Sequence, residues 1–312
     1  MEATLKLIFL GTGAGRPTLR RNVTSVALLF PQAGNRFWLF DAGEGTQQQL
    51  LRAKLKLSKL DRIFVTHMHG DHVFGLPGLL TTRSYDDGAS KLTLYGPPGL
   101  RAFVEGALRH SQAHLSYELD VVEIEAGPVL SGDGDPSVAA GELRHRTRCF
   151  GYRIEEPARP GTLLLPRLAE LGLRPGPLYG KLKRGEDVAG PDGTIIRAAD
   201  VVGPPVRGRV VAVLGDTSPC EEAVRLAQDA NLLVHEATFA AGMEEKASAY
   251  GHSTIVQAAR AAAEARARKL IVTHFSGRYD DEAVARMIAD GQAVFPNIEA
   301  AGDLMEVSVP AD

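Results

Sequence analysis

Apolar residues in this chain gather into short runs separated by glycine, proline and charge. LKLIFL at 5–10, TSVALLF at 24–30, RFWLFD at 36–41, DRIFV at 61–65, LTLYGP at 92–97 and LDVVEIE at 119–125 are rich in β-branched and aromatic residues, as strands are. RVVAVLGD at 209–216, NLLVHE at 231–236 and LIVTHFSGRY at 270–279 continue the pattern. The second and third runs suggest a β-hairpin. ELRHRTRCFGYRIEE at 142–156 reads as two short strands around a turn, and GPVLSGDGDP at 127–136 as a loop.

Helix-compatible stretches lie between these runs, at 46–57, 75–83, 99–114, 254–267 and 279–291. In TSPCEEA, Ser218, Pro219 and Glu221 fit the N-cap, N1 and N3 positions of a further helix. Asp280 fits a cap for the last helix, with Gly291 beyond its end. The alternation predicts one layered α/β domain across residues 1–312. GTGAGRPT follows the first strand with glycines spaced GxGxG, and Pro17 stands where a helix would start. A dinucleotide fingerprint therefore fails in context, leaving a tight turn whose N–H groups can approach a phosphate.

Residues 157–200 break the pattern. Pro157, Pro160, Pro166, Pro175, Pro177 and Pro191 interrupt them, and PRLAELGL at 166–173 allows one short helix. GPLYGKLKRGE at 176–186 brings Lys181, Lys183 and Arg184 close to Tyr179. A solvated loop is the plain reading. Yet so long a stretch without a long element is unusual inside a compact domain, which favours an inserted, protruding arm. Its cations suit phosphate and its tyrosine a stacked base.

Composition narrows the partners. With 35 basic and 38 acidic residues the formal charge is −3, so any nucleic acid must be met by local patches. The two cysteines, Cys149 and Cys220, form no CxxC pair and no disulfide framework, which points to a reducing cytoplasm. The leading apolar run is too short for a signal peptide, and no run has membrane length.

The chemistry concentrates in THMHGDH at 66–72. Imidazole and carboxylate are the ligands hydrolytic zinc sites use. In extended chain His67 and His69 share a side, and Gly70 lets Asp71 and His72 bend toward a second ion. His145, Asp216 and His274 also stand at strand ends, where α/β proteins build sites. Seven such groups suit two Zn²⁺ ions, and an aspartate can bridge them through its two oxygens. Asp41, at another strand end, is either a loop carboxylate or a group holding a histidine N–H. NLLVHE exposes His235 and Glu236 at its end, and His252 lies on an irregular segment. His110 and His114 are spaced i, i+4 but belong to no HExxH, so they fall outside the site.

These stretches resemble the metallo-β-lactamase superfamily and, within it, the ribonuclease Z family of tRNA 3′-processing endonucleases. The resemblance runs over nearly the whole chain through FLGTGAGRPT, RNVTS, DAGEGTQ, THMHGDH, RHRTRCFGYRI, GPLYGKLKRGE, LGDTSPC, HEATF, YGHST and THFSGRY. Ala42 departs from the cysteine frequent in DCGEGTQ, and a small residue keeps the space. The resemblance implies an αββα sandwich, a homodimer, two zinc ions and a precursor tRNA substrate cut to a 3′-hydroxyl and a 5′-phosphate trailer. It implies His67, His69 and His145 on the first zinc, Asp71, His72 and His274 on the second, and Asp216 bridging. Asp71 would also be the base, His252 the proton donor and Glu236 its orienting partner. The arm of one subunit would reach tRNA at the other's site. A small-molecule ester hydrolase of the same fold would share HxHxDH without needing the basic arm. An RNA-binding protein with structural zinc would leave His252 without purpose.

Overall fold

Two seven-stranded sheets lie face to face, with helices on both outer surfaces. The computed structural model describes residues 5–86, 90–132 and 135–311. The first sheet runs in the order Glu306–Ser308, Lys6–Gly11, Ser25–Phe30, Arg36–Phe40, Leu60–Phe64, Leu92–Gly96, Leu119–Glu123. The second runs Ile298–Ala300, Leu270–Thr273, Leu232–Glu236, Val210–Val213, Cys149–Glu155, Ser137–Leu143, Gly127–Leu130. Each sheet joins antiparallel strands to a parallel half, and in the second sheet the parallel strands Val210–Val213, Leu232–Glu236 and Leu270–Thr273 are buried throughout.

Strand periodicity sorts the side chains into layers. Leu7, Phe9, Leu28, Trp38, Phe40 and Phe64 meet Phe150, Tyr152, Val211, Val213 and Val234 between the sheets. Their neighbours Ile8, Leu10, Leu39 and Ile63 face the helices Thr46–Arg52, Leu76–Arg83 and Leu100–His110. Ala212, Leu233, Leu270 and Val272 face Glu221–Ala227, Ile255–Glu264 and Asp281–Gln292. The result is the αββα sandwich expected of the metallo-β-lactamase type. Tyr152 Oη donates to Val65 O across the seam (2.6 Å), and Phe150 N donates to Thr66 O (2.9 Å).

Several local expectations change. Gly127–Leu130 is an edge strand rather than a loop, paired with Ser137–Leu143. At an edge Pro128 forfeits no ladder bond. The helix expected over 46–57 stops at Arg52, where Lys54 adopts φ 57°. The fully buried Arg83 then pins the next turn, donating to Leu57 O and Leu60 O at 3.1 and 2.9 Å. The helix begun at 99–114 ends at His110, leaving His110 and His114 exposed. Ser218 does not cap a helix: its N–H bridges to Arg144 O (2.8 Å), and the helix starts at Glu221 behind Cys220. Asp280 does cap the last helix, accepting from Ala283 N (2.8 Å). Gly291 lies inside that helix, where a Cβ would stand 2.8 Å from Ile298. Close packing, not termination, calls for glycine there.

The insertion is more ordered than its prolines imply. Short pairings of Arg159 with Val206 and of Leu163 with Val202 form a stem. Beyond it lie helices Leu165–Glu170, Pro177–Lys183 and Ala198–Val201, with a hairpin of Val188–Ala189 and Ile195–Ile196. Leu168, Leu173, Leu182, Val188, Ile196 and Val201 bury a core of their own. Among the described residues, no helix is long and apolar enough to cross a membrane.

Candidate metal centre

Chain exits from both sheets converge on one rim. The strand Leu60–Phe64 runs on in extended form to His69, and a short helix, Gly70–Val73, then turns Asp71 and His72 inward. From the second sheet come His145 after Ser137–Leu143, Asp216 after Val210–Val213 and His274 after Leu270–Thr273. The strand expected over 270–279 breaks at His274, whose φ is 59°. Asp41, ending Arg36–Phe40, has the same φ of 59°. A non-glycine residue in this left-handed region is uncommon, and here both lie at the site.

The ligand atoms form two groups around one carboxylate. His67 Nε2 and His145 Nε2 lie 3.0 and 3.3 Å from His69 Nδ1, and Asp216 Oδ2 is 3.6 Å from His67 Nε2. In the second group Asp71 Oδ2 is 3.6 Å from His72 Nε2 and 3.4 Å from His274 Nε2. Asp216 reaches this group too, with Oδ1 3.4 Å from His274 Nε2 and Oδ2 3.5 Å from His72 Nε2. Within each group the donor atoms lie within 4.8 Å of one another. Asp216 therefore stands where a bridging carboxylate would.

The residues fit metal ions. His72 Nδ1–H donates to Asp41 Oδ2 (2.7 Å), yet its Nε2 is buried with no hydrogen-bond partner. Such an orphan is costly unless something binds it. Burial foremost, then neighbouring imidazoles, pushes His67 well down, and burial lowers His69 and His145, which keeps their lone pairs available. Burial would raise Asp216 and Asp71, but the surrounding imidazoles overcome it and hold both well below the carboxylate range. Burial would likewise lower His72, yet Asp216 and Asp41 push it well up. A field that favours a proton there also favours a metal cation.

His252 stands beside both groups, its ring 5.0 Å from His145 and 5.5 Å from His274. Its Nδ1 is 2.9 Å from Glu236 Oε1. Burial alone would lower its pKa, but the bond to Glu236 and that charge outweigh it, pushing the imidazole up to about 9. His145 Nδ1 donates to Gly251 O (2.6 Å). Gly251 has φ 76°, and a Cβ there would stand 2.9 Å from that nitrogen.

Two family models match parts of the chain: the anti-Pycsar protein Apyc1 over residues 5–126 and a β-lactamase superfamily domain over 181–275. A ribonuclease Z from Geobacillus kaustophilus is 49% identical over 306 residues, 98% of this chain and 99% of its own. One from Listeria monocytogenes is 47% identical, covering 96% of this chain and 98% of its own. This chain belongs to the ribonuclease Z family. The crystal structure of human tRNase Z, short form, is 30% identical with a TM-score of 0.70, covering 98% of this chain and 99% of that one. The metallo-β-lactamase fold protein YhfI from Bacillus subtilis shares the fold at 17% identity and TM-score 0.67.

Within this ribonuclease Z architecture, other expected residues fall differently. The glycine turn sends Gly15 N–H to Asp71 Oδ2 (2.7 Å), so that donor holds a site carboxylate rather than a phosphate. His235 is not exposed at its strand end: it is buried, its Nδ1 donating to Glu236 O (2.7 Å). Lys181, Lys183 and Arg184 are exposed on the insertion, Arg184 bonded to Glu186 (2.7 Å). Tyr179 is half-buried against the insertion's core and donates its hydroxyl to Leu173 O (3.0 Å). That placement gives it a structural task within the insertion. Sequence reasoning passed over Thr66, Thr217, Thr238 and Ser253, which hydrogen-bond Asp41 or Glu236. Their one signal was position, beside motif residues.

Proposed function

We propose that this chain is a two-zinc endoribonuclease that removes 3′ trailers from precursor tRNA. The observation that carries the reading is the double ligand group sharing Asp216, with the His252–Glu236 pair beside it, in a ribonuclease Z chain. His67, His69 and His145 would hold one ion, Asp71, His72 and His274 the other, with Asp216 between them. Seven nitrogen and oxygen donors without thiolate match hydrolytic rather than structural zinc. Bound there, the ions would screen the phosphate's charge and make a water nucleophilic near neutral pH.

The chain's own groups supply the proton transfers. Asp71, held ionised, takes the proton of the attacking water. His252, held protonated by Glu236, gives a proton to the departing 3′ oxygen. Water adds to phosphorus as that bond breaks, leaving a 3′-hydroxyl on the tRNA and a 5′-phosphate on the trailer. The exposed cations Lys181, Lys183 and Arg184 suit phosphates of the tRNA body, making the 157–200 insertion the RNA-binding arm. A cytoplasmic homodimer fits as well. Exposed Leu51, Phe74 and Tyr85 lie on or beside the helices of the first sheet's outer layer, apolar surface of the kind partners cover.

Incubation with a 3′-extended tRNA precursor, with both new ends mapped, tests the reading. A 3′-hydroxyl and a 5′-phosphate at the tRNA–trailer junction are expected. An uncut precursor, or a 2′,3′-cyclic phosphate end, would refute it.

A further inference from the structure

Two hydrogen-bond chains behind the site have the same construction. In the first sheet, Asp41 Oδ2 accepts from His72 Nδ1 (2.7 Å) and from Thr66 Oγ1 (2.8 Å), while Thr66 N donates to Asp41 Oδ1 (2.7 Å). Thr66 Oγ1 also lies 3.0 Å from His67 Nδ1. In the second sheet, Glu236 Oε1 accepts from His252 Nδ1 (2.9 Å), and Oε2 from Thr238 Oγ1 (2.6 Å) and Thr238 N (3.2 Å). Thr238 Oγ1 lies 2.9 Å from His274 Nδ1. Each carboxylate thus holds one histidine directly and reaches a second through a threonine hydroxyl. All four relay residues are buried.

Proton counting fixes the direction of each chain. A hydroxyl has one hydrogen, and a carboxylate oxygen can only accept. Thr66 therefore donates to Asp41, leaving lone pairs toward His67, whose Nδ1 must carry the hydrogen. Thr238 has two acceptors, Glu236 Oε2 at 2.6 Å and His274 O at 3.0 Å, and the shorter, charged one takes its hydrogen. Either choice leaves a lone pair for His274 Nδ1–H. In both imidazoles Nε2 is then bare, and Nε2 is the atom that faces the ligand groups.

We infer that Thr66 and Thr238 are positioning residues that lock His67 and His274 in the Nδ1–H tautomer, presenting Nε2 to one metal ion each. A β-branched side chain suits the task because its χ1 is restricted. Glu236 then governs two groups of different duty, the proton donor directly and a metal ligand through Thr238. The inference rests on the metal-binding reading of the site but not on the RNA substrate.

The test is metal competition against a chromophoric chelator, on the full chain without RNA. Thr66→Val and Thr238→Val should each weaken one of the two binding steps by about 10–100-fold, the usual loss when such a supporting partner is removed. The two should affect different steps, and Thr66→Ser and Thr238→Ser should restore them. Valine variants that bind both ions as the unmodified protein does would overturn the inference. Serine variants as weak as the valines would also do so, since a hydroxyl at that position would then not suffice to hold the ring. Should a valine variant not fold, long-range ¹⁵N–¹H spectra of the zinc-loaded protein decide: Nδ1–H at His67 and His274 is expected, and Nε2–H at either refutes it. An unmodified protein that binds no ion would remove the metal reading itself, a distinguishable failure.

Discussion

Joining Arg159 directly to Val206 through Asn-Gly would excise the insertion while keeping the Arg159–Val206 pairing at the base of its stem. These two residues exchange both backbone hydrogen bonds, each 2.9 Å, as a pair that a two-residue hairpin turn can follow. Below them Arg209 grips Glu156 through two bonds of 2.5 and 2.8 Å, which the excision spares. The core of the insertion is separate from the three layers of the sandwich, and every proposed ligand lies outside it. The melting temperature should therefore move by less than about 4 °C, the shift that roughly 1 kcal/mol gives a domain of this order. RNA affinity should respond quite differently. Lys181 and Lys183 make no ion pair among the described residues, whereas Arg184 is engaged by Glu186. Two lost phosphate contacts reduce the slope of log affinity against log salt by about 1.8. Between about 50 and 200 mM salt, the intact protein's advantage should therefore shrink about twelvefold. The assay is precursor tRNA binding across that range, beside turnover of a nitrophenyl phosphodiester. Lys181→Ala with Lys183→Ala should reproduce the slope change. An excised protein with unchanged affinity and slope would refute the arm as an RNA contact. Loss of diester turnover would show that the segment supports the site.

Three further outcomes are expected. His252→Ala should keep both ions by elemental analysis yet lose about 10²–10⁴-fold in tRNA cleavage. It should be far less impaired on the nitrophenyl diester, whose leaving group needs no proton; equal impairment there would rule out the proton-donor role. Glu236→Gln should let the His252 pKa fall from about 9. Activity needs the protonated imidazole and is lost as pH rises through its pKa, so the alkaline limb of the rate profile should move to lower pH; an unmoved limb would break the assignment. Protein purified without chelator should carry two zinc ions per chain, and saturation at one would contradict a bridging Asp216.

The proposed ligands were legible because they interrupt apolar strands with imidazole and carboxylate, a contrast that pattern reading detects. His67, His69, Asp71, His72, His145, Asp216 and His274 all stand where such a run ends, and the structure brings them to one rim. Sheet order was not legible, since it depends on which buried faces meet across distant segments. Thr66 and Thr238 were equally hidden, because threonine beside a strand end is ordinary and gains meaning only from its partners. The helix Pro177–Lys183 was masked by Gly176, Gly180 and Gly185, which weaken intrinsic helicity. Burial of Leu182 in the insertion's small core overrides that preference. Ser218 failed as a cap for a related reason: its backbone was already committed to Arg144, just past the strand that delivers His145.

Neither sheet holds all the proposed ligands of either ion. The first contributes His67 and His69 to one group and Asp71 and His72 to the other; the second contributes His145, His274 and the shared Asp216. An ion held in either group would therefore be gripped across the seam. Its geometry depends on how the two sheets dock, and not on either strand rim alone. The seam is tied near the site by Tyr152 Oη to Val65 O and by Phe150 N to Thr66 O, the residue that orients His67. Packing between the sheets thus sets the distance between ligand groups, while Asp41 and Glu236 aim the rings within each. The division explains why so much polar structure lies at the edge of an apolar interface. Cores are close-packed and deform little, so a rim fixed to them can hold several donors at once. The insertion stands apart from the seam with a core of its own, so the RNA contacts proposed for it could vary without disturbing that alignment.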